Sequence, residues 1–131
     1  MICDAEALTA LFPDNHFHLV HANNSIDHCY SPLLAIQQMV RVVKPQCWIY
    51  LRHRRNEGKN QKYNGLHQWN FDVGEDGSFI LWNQKIKLCV KDALDGVAIN
   101  CRLEFVADQL TSAPWVIVEI RKDDRWLEMG A

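Results

Sequence analysis

The sequence predicts an α/β domain with parallel central strands that closes on an antiparallel hairpin. An apolar stretch, Phe17-His18-Leu19-Val20-His21-Ala22, is followed by a strong helix signal and then by a second apolar stretch, Cys47-Trp48-Ile49-Tyr50-Leu51. Short joins make these a βαβ unit, whose crossover leaves the two strands parallel. Farther on, Val97, Ile99, Cys101, Leu103 and Phe105 alternate with Ala98, Asn100, Arg102 and Glu104. That period of two marks a strand with one covered face. Trp115 to Arg121 then returns after the turn-like Thr111-Ser112-Ala113-Pro114, and the last two strands are expected to pair antiparallel.

Each element has its own signal. Asp4 to Leu11 is helix-prone, with Asp4 where a capping carboxylate would sit. Pro13-Asp14-Asn15 is turn chemistry, and Asn23-Asn24-Ser25 ends the first strand. Ser31-Pro32 gives a hydroxyl cap and a first-turn proline, and Leu33, Ile36, Val40 and Val43 form one apolar face. The helix from Pro32 to Val43 is expected to stop at Lys44-Pro45, because the residue before proline is pushed out of the helical region. The apolar run at 47–51 lacks alternation, as expected when both faces of a strand are covered. Arg52 to Gly65 reads as a long polar loop. Trp69, Phe71 and Val73, the turn Asp76-Gly77 and the run Phe79 to Trp82 read as a hairpin anchored by its aromatics. Ile86 to Leu94 is expected to be a helix ending near Gly96, and the tail from Lys122 onward a polar, disordered end.

The 131 residues, 48% hydrophobic and 23% charged, suit one globular domain over 1–131. A net charge of -2, from 14 basic and 16 acidic side chains, steers the chain toward neither nucleic acid nor an anionic membrane. No apolar run reaches the ~20 residues that span a bilayer, and Met1-Ile2-Cys3-Asp4 has no basic flank of a signal peptide. Cys3, Cys29, Cys47, Cys89 and Cys101 include no C-x-x-C pair, so reduced thiols in a cytoplasmic protein are expected.

Asp4-Ala5-Glu6-Ala7-Leu8, Phe17-His18-Leu19-Val20 with His28 beyond it, and Arg41-Val42-Val43-Lys44-Pro45 occur in that order before the closing hairpin. Together they resemble the second half of a class I S-adenosylmethionine-dependent methyltransferase of the type 11-like kind. Gly65-Leu66-His67-Gln68-Trp69-Asn70-Phe71 is similar to a substrate-side segment of one subgroup. The resemblance implies a truncated Rossmann-like sheet and S-adenosylmethionine as cofactor. It implies that Asp4, Ala5, Ala22, Asn23 and Asn24 face that cofactor. The substrate side would carry His28, His53, Asn56, Tyr63, His67 and Gln68.

The departures bear on activity. No G-x-G pair occurs among the six glycines, so the family's glycine-rich cofactor loop has no counterpart here. Gln46-Cys47 stands where Gly-Gly is usual, and His18 replaces an aspartate. Methyl transfer from a sulfonium depends on rigid positioning, so the isolated chain is expected not to hold the cofactor. Asp4 as a plain helix cap is then the weightier role.

Other constellations are weaker. His16 and His18 share a strand face that His21 does not, which argues against a shared metal. Asp27-His28-Cys29 places catalytic residue types side by side, but neighbours in sequence rarely face one another. Arg52, Arg54, Arg55, Lys59 and Lys62 make a local basic patch, and a solvated loop is the commoner meaning of such a run. In the family the fourth strand lies between the first and the fifth. Without the first, Phe17 to Ala22 becomes an edge, and the helix from Pro32 to Val43 is left with apolar surface. A homodimer through both is expected, or a separate chain that supplies the missing half. Three functions follow: a self-associating module inactive alone, half of a split methyltransferase acting on a small molecule, or an unrelated α/β ligand-binding domain.

Overall fold

The computed structural model describes residues 5–23, 26, 29–65, 68–105 and 114–124. A 3-10 turn at Ala5–Ala10 precedes β1 (Phe17–Asn23), α1 (Pro32–Val42) and β2 (Val43–Arg54). The one-turn α2 (Glu57–Asn60) leads into β3 (Asn70–Val73), β4 (Phe79–Trp82) and β5 (Lys87–Cys89). The one-turn α3 (Val90–Ala93), β6 (Val97–Glu104) and β7 (Trp115–Lys122) complete the described elements.

Two sheets result. The larger has the order β1-β2-β7-β6, with β1 parallel to β2 and the remaining pairs antiparallel. The expected βαβ unit and closing hairpin are both present, and the mixed sheet is that of a truncated Rossmann-like fold. The smaller sheet is β3-β4-β5, its first pair being the expected hairpin.

Alternation along the strands fixes what each face meets. On one side of the large sheet lie Ile49, Leu51 and His53 of β2, and beside them Val116, Val118 and Ile120 of β7, all buried. That inner face is covered by Ala35, Ile36, Met39 and Val40 of α1 and by Phe71, Phe79 and Leu81 of the small sheet. The other side is covered at one end, where Trp115 and Ile117 of β7 are buried beneath Arg52 and Arg54, and is open toward β1. Trp48 is 43% exposed and Leu19 60% exposed there. Both faces of β2 were expected to be covered; one is, and the other is covered only in part. The apolar face of α1, expected to be bare, is buried within the chain instead.

Four boundaries also differ from expectation. The helix ends at Val42, and Lys44-Pro45 already belongs to β2, because the extended Val43 (φ -79, ψ 147) caps it. The supposed loop from Arg52 gives its first residues to β2 and carries α2 within it. Ile86 to Leu94 is not one helix. Lys87–Cys89 pairs with β4, and a single turn follows. The sheet's demand for a third strand overrides local helix propensity there. Lys122, expected to open the polar tail, is instead wholly buried as the last residue of β7.

Candidate functional site

In open α/β sheets ligands collect beyond the carboxyl ends of the parallel strands. Here that rim is formed by the end of β1, the start of α1 and the segment between α2 and β3. Ser31 caps α1, its Oγ accepting from Leu34 N at 3.2 Å. The Glu6 carboxylate accepts from Tyr30 N (2.9 Å) and Ser31 N (3.0 Å), and Gln38 Oε1 accepts from Thr9 N and Thr9 Oγ1 (3.0 and 2.6 Å). The acidic N-terminal segment is thereby seated on the entry to α1. Glu6 was not among the expected site residues. Its signal is an acid placed beside Ala5, ahead of a helix whose first amides need acceptors.

The expected cofactor-side residues are divided. Ala5 and Ala22 are half-buried and packed on the core, while Asn23 is exposed at the end of β1 beside Arg52. Asp4 and Asn24 lie outside the described residues. Ala5, Ala22 and Asn23 do not line the clefts at Gln68-Trp69, at Leu19-Trp48 or along β3 to β5. The described residues of this set therefore gather into none of these clefts and do not by themselves fit a nucleoside.

The substrate-side residues are spread more widely. His53 is buried on the inner face, stacked on Phe71 (centroids 4.2 Å apart, planes 22°), with Nδ1 2.8 Å from Arg54 O. Asn56 is left-handed (φ 52), and its Oδ1 accepts from Trp82 Nε1 at 2.9 Å. Tyr63, also left-handed, has its hydroxyl 3.0 Å from Asn70 Nδ2. Gln68 Nε2 donates to Tyr63 O (2.6 Å) and Gly65 O (2.9 Å), closing the turn. His28 and His67 lie outside the described residues.

Of these, Gln68 lines an open cleft of about 550 Å³ with Cys29, Tyr30, Gly65, Trp69 and Asn83, completed by Gln84 and Lys85. Trp69 Nε1 donates to Tyr30 O at 3.2 Å, tying the cleft's two sides together. An aromatic wall, amides and one ammonium suit a small polar molecule. Asn70 underlies this arrangement and was missed. It is fully buried, with Oδ1 accepting from Lys59 N (2.6 Å) and Nδ2 donating to Tyr63 Oη and to Trp82 O (3.2 Å).

The other constellations separate. His16 stacks on Phe12, His18 lies beside Lys44 and His21 stacks on Tyr50. Among the described residues no three His, Cys, Asp or Glu side chains gather to hold a metal. Of the basic run, Arg52 and Arg54 lie over the Trp115 ring (4.0 and 5.4 Å), and Arg55 pairs with Asp72 at 2.7 Å. Burial pushes the Cys101 thiol up to about 12, which leaves it protonated and unreactive. No helix among the described residues is long and apolar enough to cross a membrane.

Comparison with known proteins agrees with this geometry. Residues 1–51 match the family described as Methyltransferase domain. The fold is shared with a SAM-dependent methyltransferase from Methanosarcina mazei (15% identity, TM-score 0.55, 95% of this chain and 67% of that one). It is shared also with the (4+2)-cyclase SpnF (17% identity, TM-score 0.55, 94% of this chain and 55% of that one). A methyltransferase from Mesorhizobium loti gives 12% identity and a TM-score of 0.52 over 92% of this chain and 68% of its own. No curated protein matches the chain in sequence. Over residues 1–51 the chain thus resembles a methyltransferase domain, its fold as a whole is methyltransferase-like, and it spans about half the length of the cyclase. Those structures include a cyclase as well as methyltransferases, so the fold by itself names no reaction.

Proposed function

We propose that the chain is a methyltransferase-derived module that does not retain S-adenosylmethionine by itself and acts through association at its β1 edge. The observation that carries this reading is the position of β1 at the end of the sheet, paired among the described residues to β2 alone. A nucleoside cofactor needs walls on both sides of the strand ends. Ala5 and Asn23 belong to one side only, and the resemblance assigns the opposite wall to a glycine-rich loop that this sequence lacks. Calorimetric titration of S-adenosylmethionine into the purified chain is expected to give no binding heat. A dissociation constant in the micromolar range would overturn the reading.

A second reading, half of a split methyltransferase acting on a small molecule, draws support from the cleft at Gln68 and Trp69. In that case a separate chain brings the cofactor half, and this one contributes the substrate wall. Methyl transfer restored by adding such a chain, with the cleft variant Trp69→Ala impaired, is the outcome that would favour it.

A further inference from the structure

We infer that two copies of the chain join edge to edge through β1, antiparallel, with a two-fold axis beside Val20, so that the four-stranded sheet of each continues into the other. The inference rests on the reading above and names its partner. The two edges of the large sheet differ in kind. β6 presents Asn100, Arg102 and Glu104 on the open face, with Arg102 Nη1 held by Glu119 at 2.6 Å. Charges along an edge discourage a further strand. β1 has no Asp, Glu, Lys, Arg or Pro between Phe17 and Asn23. The register shift near Phe17 puts its extra residues on β2, where Gln46 is left-handed, and leaves β1 regular.

β1 is also complementary to itself. Antiparallel pairing about Val20 sets Leu19 opposite His21 of the second copy, His18 opposite Ala22 and Phe17 opposite Asn23. No two groups of like fixed charge meet. The apolar part of the open face lies against this same edge. Leu19 is beside Trp48, and His21 stacks on Tyr50 with centroids 5.6 Å apart. These side chains, with Ile49 and, at the rim toward β7, Glu119, line a depression of about 410 Å³. Pairing would align Trp48, Leu19, and the second copy's His21 and Tyr50 in one row across the junction, and the two-fold repeats that row. The charged β7 and β6 columns stay outside it.

Light scattering should give twice the 15.2 kDa chain mass. Leu19→Lys puts a charge on a side chain already mostly in solvent, so circular dichroism should show an unchanged fold while the mass falls to that of one chain. Val20→Cys should form a linked dimer on oxidation, well above wild type, because opposed Cα atoms in an antiparallel pair lie ~4.5–5.5 Å apart, within disulfide reach. Ala98→Cys, on β6, should not. A wild-type mass of one chain at high micromolar concentration, or a Val20→Cys variant that links no better than Ala98→Cys, overturns the inference. Uptake of S-adenosylmethionine by the chain would sink the preceding reading and leave these masses as they are.

Discussion

Lys122 ends β7 with its ammonium inside the protein, where Nζ donates to Asn15 Oδ1 (2.7 Å), Val43 O (2.9 Å) and Arg41 O (3.2 Å). Arg41 and Val43 lie at the carboxyl end of α1, whose unsatisfied carbonyls and dipole favour a cation. Burial outweighs that help and pushes the Lys122 amine down to about 8 from 10.5. The charged form is therefore penalised in the folded state. The penalty is complete below pH about 8 and is relieved as the folded chain sheds its proton ahead of the unfolded one. Urea denaturation should show stability rising between pH 8 and 10.5 in wild type relative to Lys122→Met, which lacks the titrating group. A difference that is flat with pH would refute this account. The polarity of Lys122 pointed outward in the sequence; only its strand register reveals that it faces in, alongside Val116, Val118 and Ile120. His53 was misread as a loop residue for the same reason. Had β2 been extended to Arg54, the alternation of Ile49, Leu51 and His53 would have placed the imidazole in the core. Glu6 and Asn70 act through backbone groups distant in sequence, and no local pattern announces such partners.

Elements with a strong local signal were legible: β1 and β2 by apolar runs, α1 by its Ser31-Pro32 start, β3 by alternation, β4 by the run after Asp76-Gly77, β6 by period two and β7 by the turn chemistry before it. Those defined by what they touch were not. β5 exists because β4 offers it an edge. α2 is one turn held against the residue preceding β3, with Gly58 N donating to Trp69 O at 3.1 Å. A Cβ on Gly58 would lie 2.7 Å from Trp69 O and 3.0 Å from its carbonyl carbon. Backbone cannot yield as a flexible side chain can, so Gly58→Ala should cost ~1–3 kcal/mol, read as a lower urea midpoint. The same shift should loosen the Trp69 wall of the cleft. An unchanged midpoint would mean that α2 moves freely against β3, contrary to this packing.

An aromatic contact crosses between the two sheets, beside the aliphatic packing of the shared core. Phe71 of β3 stacks on His53 of β2 and leans on Phe79 of β4 at 5.3 Å, so one ring joins both sheets. Truncation by Phe71→Ala should cost ~3–5 kcal/mol. Because the ring belongs to both halves, thermal unfolding followed by near-ultraviolet and far-ultraviolet dichroism should stay coincident in wild type and separate in the variant. Coincident transitions in Phe71→Ala would show that the sheets are coupled by other means. The open part of the large sheet's second face, around Leu19 and Trp48, has no signal of its own in the sequence. An apolar run without alternation reads the same whether its second face meets helices, another chain or water.

The strand order carries a consequence for synthesis. β7, the last of the described strands, lies between β2 and β6, both of which leave the ribosome before it. Until residues 115–122 emerge, the large sheet consists of two pieces with nothing between them, and the nascent polypeptide presents unpaired edges on either side of that gap. Closure comes as an insertion rather than a growing end, which places much of this protein's exposure to misassembly in the seconds around the emergence of β7.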